Sequence, residues 1–144
     1  MFKIPLTYLT YEGKQTSKDF YFNLNKGEIA EVHMSLPGGI DGFLDTLSGT
    51  PEPADVVMVF RTIILKAYGK RTPDGRFFKS KELSDEFAAS DAYSELFLKF
   101  MDNEDDFVTK FMEGTISAPI GTIQKILDEN PKIEEVKAAM SSEF

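Results

Sequence analysis

The chain has 144 residues, 42% hydrophobic and 28% charged, with a formal net charge of -8. Those proportions suit one globular domain with a real core, and no apolar run approaches the roughly 20 residues of a transmembrane helix. The absence of cysteine and the single histidine, His33, exclude a cysteine nucleophile and the usual Cys/His zinc cage, while the acidic balance argues against binding nucleic acid through its phosphates.

Met1-Phe2-Lys3-Ile4-Pro5 lacks the apolar core of a signal peptide, which predicts a protein that stays in the cytosol where it is made. Phe2, Ile4, Leu6 and Tyr8 alternate with Lys3, Pro5 and Thr7, a period of two that predicts a strand, and Pro5 predicts that it lies at an edge. Tyr11-Glu12-Gly13-Lys14 has turn composition, and Asp19 to Leu24 supplies a second strand with Phe20, Phe22 and Leu24 on one face. An antiparallel hairpin is the simplest connection.

Helix signals begin at Asn25, a cap answered by Glu28 three residues on, and stop at Pro37-Gly38-Gly39. His33 falls near the carboxyl end of that helix, where the dipole favours a protonated imidazole. Ile40, Phe43, Leu44 and Leu47 predict a second short helix ending near Ser48-Gly49. Pro51 and Pro53 introduce the clearest helix, whose stripe of Val56, Val59, Phe60, Ile63, Ile64 and Ala67 reads as core.

Gly69 is expected to end this helix, with Lys70 and Arg71 beside its carbonyl terminus. Thr72-Pro73-Asp74-Gly75 has the composition of a type I turn, followed by an extended Arg76-Phe77-Phe78-Lys79. From Ser80 the pattern is helical, with Leu83 and Phe87 on one face, then Tyr93, Leu96, Phe97, Phe100 and Met101 on another behind Asp91 as expected cap. Asn103-Glu104-Asp105-Asp106 marks the start of a further helix carrying Phe107, Val108, Phe111 and Met112. Two short helices are expected after a loop at Ser117 to Gly121: Thr122 to Leu127, and a segment capped by Asn130-Pro131 with Ile133, Val136 and Met140 on one face.

Little chemistry is legible along this path. A lone histidine among many carboxylates is weak support for a Ser-His-Asp triad, and a surface or helix-face histidine is the simpler reading. The acidic cluster fails as a calcium loop: counting from Asp102, the sixth position is Phe107 where glycine is required. Pro37-Gly38-Gly39 lacks the lysine and context of a phosphate loop, and nothing places two carboxylates in an apolar cleft. No metal or cofactor is expected. Residues 101–144 carry ten acidic and four basic side chains, so most of the negative charge sits in the last third.

Three stretches carry a resemblance. Asp19-Phe20-Tyr21-Phe22-Asn23-Leu24-Asn25-Lys26-Gly27-Glu28, Ala67 through Phe77, and Ser90-Asp91-Ala92-Tyr93-Ser94-Glu95-Leu96-Phe97 resemble, in order and spacing, the tail assembly chaperones of long-tailed (siphovirus-type) bacteriophages. The likeness covers roughly residues 6–116 and suggests a chaperone domain over 1–116 with a variable acidic tail over 117–144. It implies a non-enzymatic helper that binds the tape measure protein in the host cytoplasm before the tube polymerises, and that is absent from the virion. It also implies a longer product made by ribosomal frameshifting that engages tape measure or tube subunits.

The expected fold is α+β, mainly α, with an N-terminal antiparallel β-hairpin packed on a helical bundle. Phe100, Phe107, Phe111 and Met112 lie on helix faces able to receive a partner helix, and are the candidate partner-binding residues. Homo-oligomerisation is expected, since covering a long partner takes many copies. Two other functions compete: a minor structural protein of the tail, of connector or terminator type, and an acidic decoy imitating DNA, which would need carboxylates spaced like phosphates.

Overall fold

The computed structural model describes residues 1–36, 38–40, 42, 45, 52–116, 125, 128–132 and 135. The expected helix around Phe43, Leu44 and Leu47 lies mostly outside them. So do the tail residues Ile133, Val136 and Met140. Strand β1 (Phe2–Leu9) and strand β2 (Gln15–Phe22) form the hairpin, followed by α1 (Lys26–Ser35), α2 (Pro53–Ala67), β3 (Tyr68–Arg71) and β4 (Phe77–Phe78). Helices α3 (Lys81–Ala88), α4 (Asp91–Asp102) and α5 (Phe107–Thr115) complete the order, with a 3-10 turn at Glu104–Asp106 before the last. The fold is α+β and mainly α, as the pattern of periods predicts, but the sheet has four antiparallel strands in the order β1-β2-β3-β4.

Register follows from side-chain size. Phe2, Ile4, Leu6 and Tyr8 stand opposite Phe22, Phe20, Lys18 and Thr16, and opposite residues in an antiparallel pair share a face. That face turns inward: Ile4, Leu6 and Phe22 are buried. The hairpin loop closes by the Thr10 amide donating to the Lys14 carbonyl at 2.8 Å, with Gly13 at φ +83°, a left-handed position that glycine adopts without strain. The same Thr10–Lys14 bond fixes the alternation of the ladder. Even-numbered residues of both strands pair with each other; odd-numbered ones turn their N–H and C=O outward.

Helix α1 starts in the capping box foreseen at Asn25: its Oδ1 accepts from the Glu28 amide at 2.9 Å and Glu28 Oε1 accepts from the Asn25 amide at 3.1 Å. Lys79 then locks this corner. Its Nζ donates to both Glu28 oxygens at 2.7 and 2.8 Å, to the Asn23 carbonyl, and to the Lys66 carbonyl at 3.0 Å. One ammonium thus joins the end of β2, the cap of α1, the end of α2 and the exit of β4.

Every residue of the α2 stripe is buried. Its carboxyl end differs from expectation: the helix stops at Ala67, and Tyr68 and Gly69 pair with Phe22 and Tyr21 as a strand. Gly69 is there for space. A Cβ at that position would lie 2.6 Å from the Phe77 ring and 2.7 Å from the Phe78 carbonyl oxygen, the close approach that marks glycine within strands. Lys70 and Arg71 consequently belong to β3, paired with Phe78 and Phe77.

Ser90, rather than Asp91, caps α4, its Oγ accepting from the Tyr93 amide. The acidic run precedes α5 instead of forming its first turn, with Asn103, Asp105 and Asp106 at positive φ. Asn103 Oδ1 accepts from the Val108 amide at 2.9 Å. The core is aromatic. Phe22, Phe60 and Phe111 are fully buried, each worth about 1.5–3 kcal/mol relative to exposure. Phe111 meets Phe2 and Phe22 at ring distances of 5.0 and 5.3 Å, while Phe60 meets Tyr93, Phe97 and Phe100 edge to face.

Candidate partner-binding surface

Three of the four residues selected from helical spacing are enclosed: Phe100 is 2% exposed and Phe111 and Met112 are 0% exposed. Phe107 is half-buried against the core, its ring 6.3 Å from Phe2 and 6.1 Å from Phe111. The structure brings Phe100, Phe107 and Phe111 together, but as packing around the amino-terminal strand. Spacing shows which side chains share a helix face, and only the fold shows what that face meets.

His33 is also internal. At 5% exposed, it accepts the Ile40 amide on Nδ1 at 3.3 Å, and a Cβ on Gly39 would lie 2.2 Å from its Cε1. Its ring fills the turn after α1, inside the fold rather than on a helix surface. Among the described residues no cluster of three His, Cys, Asp or Glu side chains is arranged to hold a metal ion.

Four of the exposed large apolar side chains lie on two helices; Met1, Leu9, Tyr11 and Phe78 are exposed elsewhere. Val57 and Met58 on α2 and Leu98 and Met101 on α4 are 37 to 54% exposed. Phe60 of α2 packs against Tyr93, Phe97 and Phe100 of α4, and Arg61 lies over the Tyr93 ring at 5.6 Å. Methionine adapts its shape to varied apolar partners.

A groove of about 430 Å³ lies on the other side of the sheet junction, beneath the far half of the hairpin. It exists because β2 and β3 part: they pair only at Tyr21–Gly69 and Phe22–Tyr68, after which β3 turns to β4 while β2 continues along β1. Its floor is aromatic, with Tyr68 stacked on Phe87 at 4.4 Å and Phe20 at 5.4 Å from Phe87. Burial raises the Tyr68 phenol above its ordinary value, with Glu86 and then Tyr8 adding to the shift. The hairpin tip is tied down at the groove's far end. The Leu9 amide donates to Asp91 Oδ2 at 2.9 Å and the Tyr11 hydroxyl to the Ala89 carbonyl at 2.9 Å.

Three cations line this groove, Lys18, Lys70 and Arg71; none has an ion pair among the described residues. Of the three carboxylates there, Asp19 is offset by Lys3 at 3.6 Å, Asp91 accepts the Leu9 amide but keeps its charge, and Glu86 is the third. The reading of the sequence did not find this site. The signal was present in the register, because a hairpin that puts Leu6 inward puts Lys18 beside it on the same face.

No curated protein and no solved structure matches the chain. Its mainly helical α+β fold accords with one finding. The family model described as phage tail assembly chaperone matches residues 1–143, and the chain belongs to that family.

Proposed function

We propose that this chaperone binds the tape measure protein in the cytoplasm of the infected host, keeps it soluble until the tail tube forms, and leaves before the virion is complete. No catalytic step is involved. The observation that carries the reading is the exposed apolar set on α2 and α4, Val57, Met58, Leu98 and Met101, on a chain of net charge -8. A long helical partner with exposed apolar surface needs cover of that kind, and the net charge keeps the complex dispersed. Of the residues first selected, Phe107 remains part of the proposed surface; Phe100, Phe111 and Met112 act by holding α4 and α5 in place.

Several copies act on one partner in this reading. The domain ends near Ile116, and residues 117–144, or a frameshifted extension beyond them, engage the tape measure protein or tube subunits. The test is co-expression with the tape measure protein of the same phage, followed by size-exclusion chromatography with light scattering. A soluble, co-eluting complex is expected, and truncation after Ile116 measures the share of the tail. An insoluble tape measure protein with unchanged elution of this chain overturns the reading, and recovery of the chain from purified virions favours a structural component of the tail.

A further inference from the structure

We propose that the fork between β2 and β3 is a second binding site, which takes an acidic segment of a partner in extended form by strand addition to β2. This deepens the chaperone reading, on which it rests, by naming the form and charge of a partner segment. The argument begins with the ladder. Odd-numbered residues of β2 point their backbone groups toward β3: the Asn23 amide donates to the Ala67 carbonyl at 2.9 Å, and Tyr21 pairs with Gly69. The next odd residues, Asp19, Ser17 and Gln15, keep that direction, but β3 has left to pair with β4. The Asp19 groups therefore face the groove, those of Ser17 and Gln15 continue the same edge beyond its lining, and no strand of the described residues lies beside them, the template that strand addition uses.

The groove walls select what is added. A strand placed there alternates its side chains between the aromatic floor of Tyr8, Phe20, Tyr68 and Phe87 and the open side. Lys18, Lys70 and Arg71, with Lys3 paired to Asp19, set four cations against the three carboxylates Asp19, Glu86 and Asp91, a local balance of +1 in a chain of net charge -8. Positive potential in an otherwise acidic chain favours an acidic occupant and disfavours a second copy of an equally acidic protein. A volume of about 430 Å³ lies within the range of pockets that enclose small ligands or a few peptide residues, roughly 300–1,000 Å³.

The test uses the full chain, labelled with nitrogen-15, and a capped synthetic peptide of eight residues alternating Glu and Val, with a Lys-Val peptide as control. The acidic peptide is expected to shift the Ser17, Asp19 and Gly69 to Arg71 amides and to slow hydrogen exchange at Ser17 and Asp19; the basic peptide is not. Charge reversal by Lys70→Glu with Arg71→Glu is expected to weaken binding roughly tenfold or more. Ser17→Pro, which removes an outward N–H and leaves the ladder to β1 whole, is expected to weaken it similarly with an unchanged circular dichroism spectrum. Equal binding of both peptides, shifts confined to α2 and α4, or no shifts at all overturn the inference. So does slow exchange at Ser17 and Asp19 in the free chain, with truncation after Ile116 and light scattering then distinguishing its own tail from a second copy as occupant. Because the peptide titration needs no tape measure protein, it fails or succeeds independently of the co-expression result.

Discussion

The hairpin has two outward edges, and they are treated in opposite ways. On β1 the outward positions are Lys3, Pro5, Thr7 and Leu9; Pro5 has no N–H to offer and the Leu9 amide is taken by Asp91. No two consecutive outward positions on that edge keep an N–H free, which blunts it against edge-to-edge pairing. On β2 the outward positions Gln15, Ser17 and Asp19 carry no proline and, among the described residues, no side-chain plug, and β3 withdraws from them. A closed edge and an open edge in one hairpin of two eight-residue strands indicate that openness is local and positioned, since the means of closing an edge are used only a strand away.

The comparison breaks first at the base of the fork. Lys79 connects the β4 exit to the ends of β2 and α2, with its side chain 23% and that of Glu28 21% exposed. Replacing it by alanine leaves Glu28 and two carbonyls without their cation. The expected loss in Lys79→Ala is about 2–3 kcal/mol in urea denaturation, below the range for a fully buried pair because water still reaches this one. Faster amide exchange at Tyr21 and Gly69 is expected to accompany it, as the fork opens toward its base. A change under 0.5 kcal/mol, within ordinary surface variation, would mean that the aromatic packing of Tyr68 and Phe77 holds β3 without the ammonium.

Periodicity made part of this legible. The α2 stripe, the hairpin and the Asn25–Glu28 box were readable because each is a local pattern whose partners lie within a few residues, or whose period repeats several times. Strands β3 and β4 are four and two residues long, too short for a period to show, and Gly69 resembles a helix stop in sequence because what crowds it, Phe77 and Phe78, arrives only with the next strand. Lys79 gave no signal at all, since its acceptors are two backbone carbonyls and a glutamate 51 residues away. The candidate residues were limited in the same manner: Phe111 and Met112 were correctly put on one helix, and their burial depends on β1 and β2, which spacing along α5 does not describe.

A smaller effect tests the plug on the closed edge. In Asp91→Ala the Leu9 amide loses its acceptor and α4 loses a carboxylate in its first turn; together these are expected to cost about 1 kcal/mol. The sharper readout is exchange. Protection should fall at Leu9 alone while Ser17 and Asp19 stay as they were, because the two edges share no hydrogen bond. Coupled changes on both strands would show that the tip moves as one body and that the edges are not independent.

The smallest stability change, and the most direct test of the comparison, comes from Pro5→Thr. Position 5 is exposed and its nitrogen points away from β2, so a threonine there adds an outward N–H without touching the ladder or the core. Stability should change by no more than about 0.5 kcal/mol, threonine being well suited to a strand. Association should not be so quiet. With Lys3, position 5 and Thr7 all offering outward donors, β1 becomes as open as β2, and light scattering at rising concentration should show dimers or larger species that the parent chain does not form by that edge. If the variant behaves as the parent does, the outward groups of β1 are held apart by the charges of Lys3 and Asp19, 3.6 Å apart across the strands, and the contrast between the edges lies in charge rather than in missing donors.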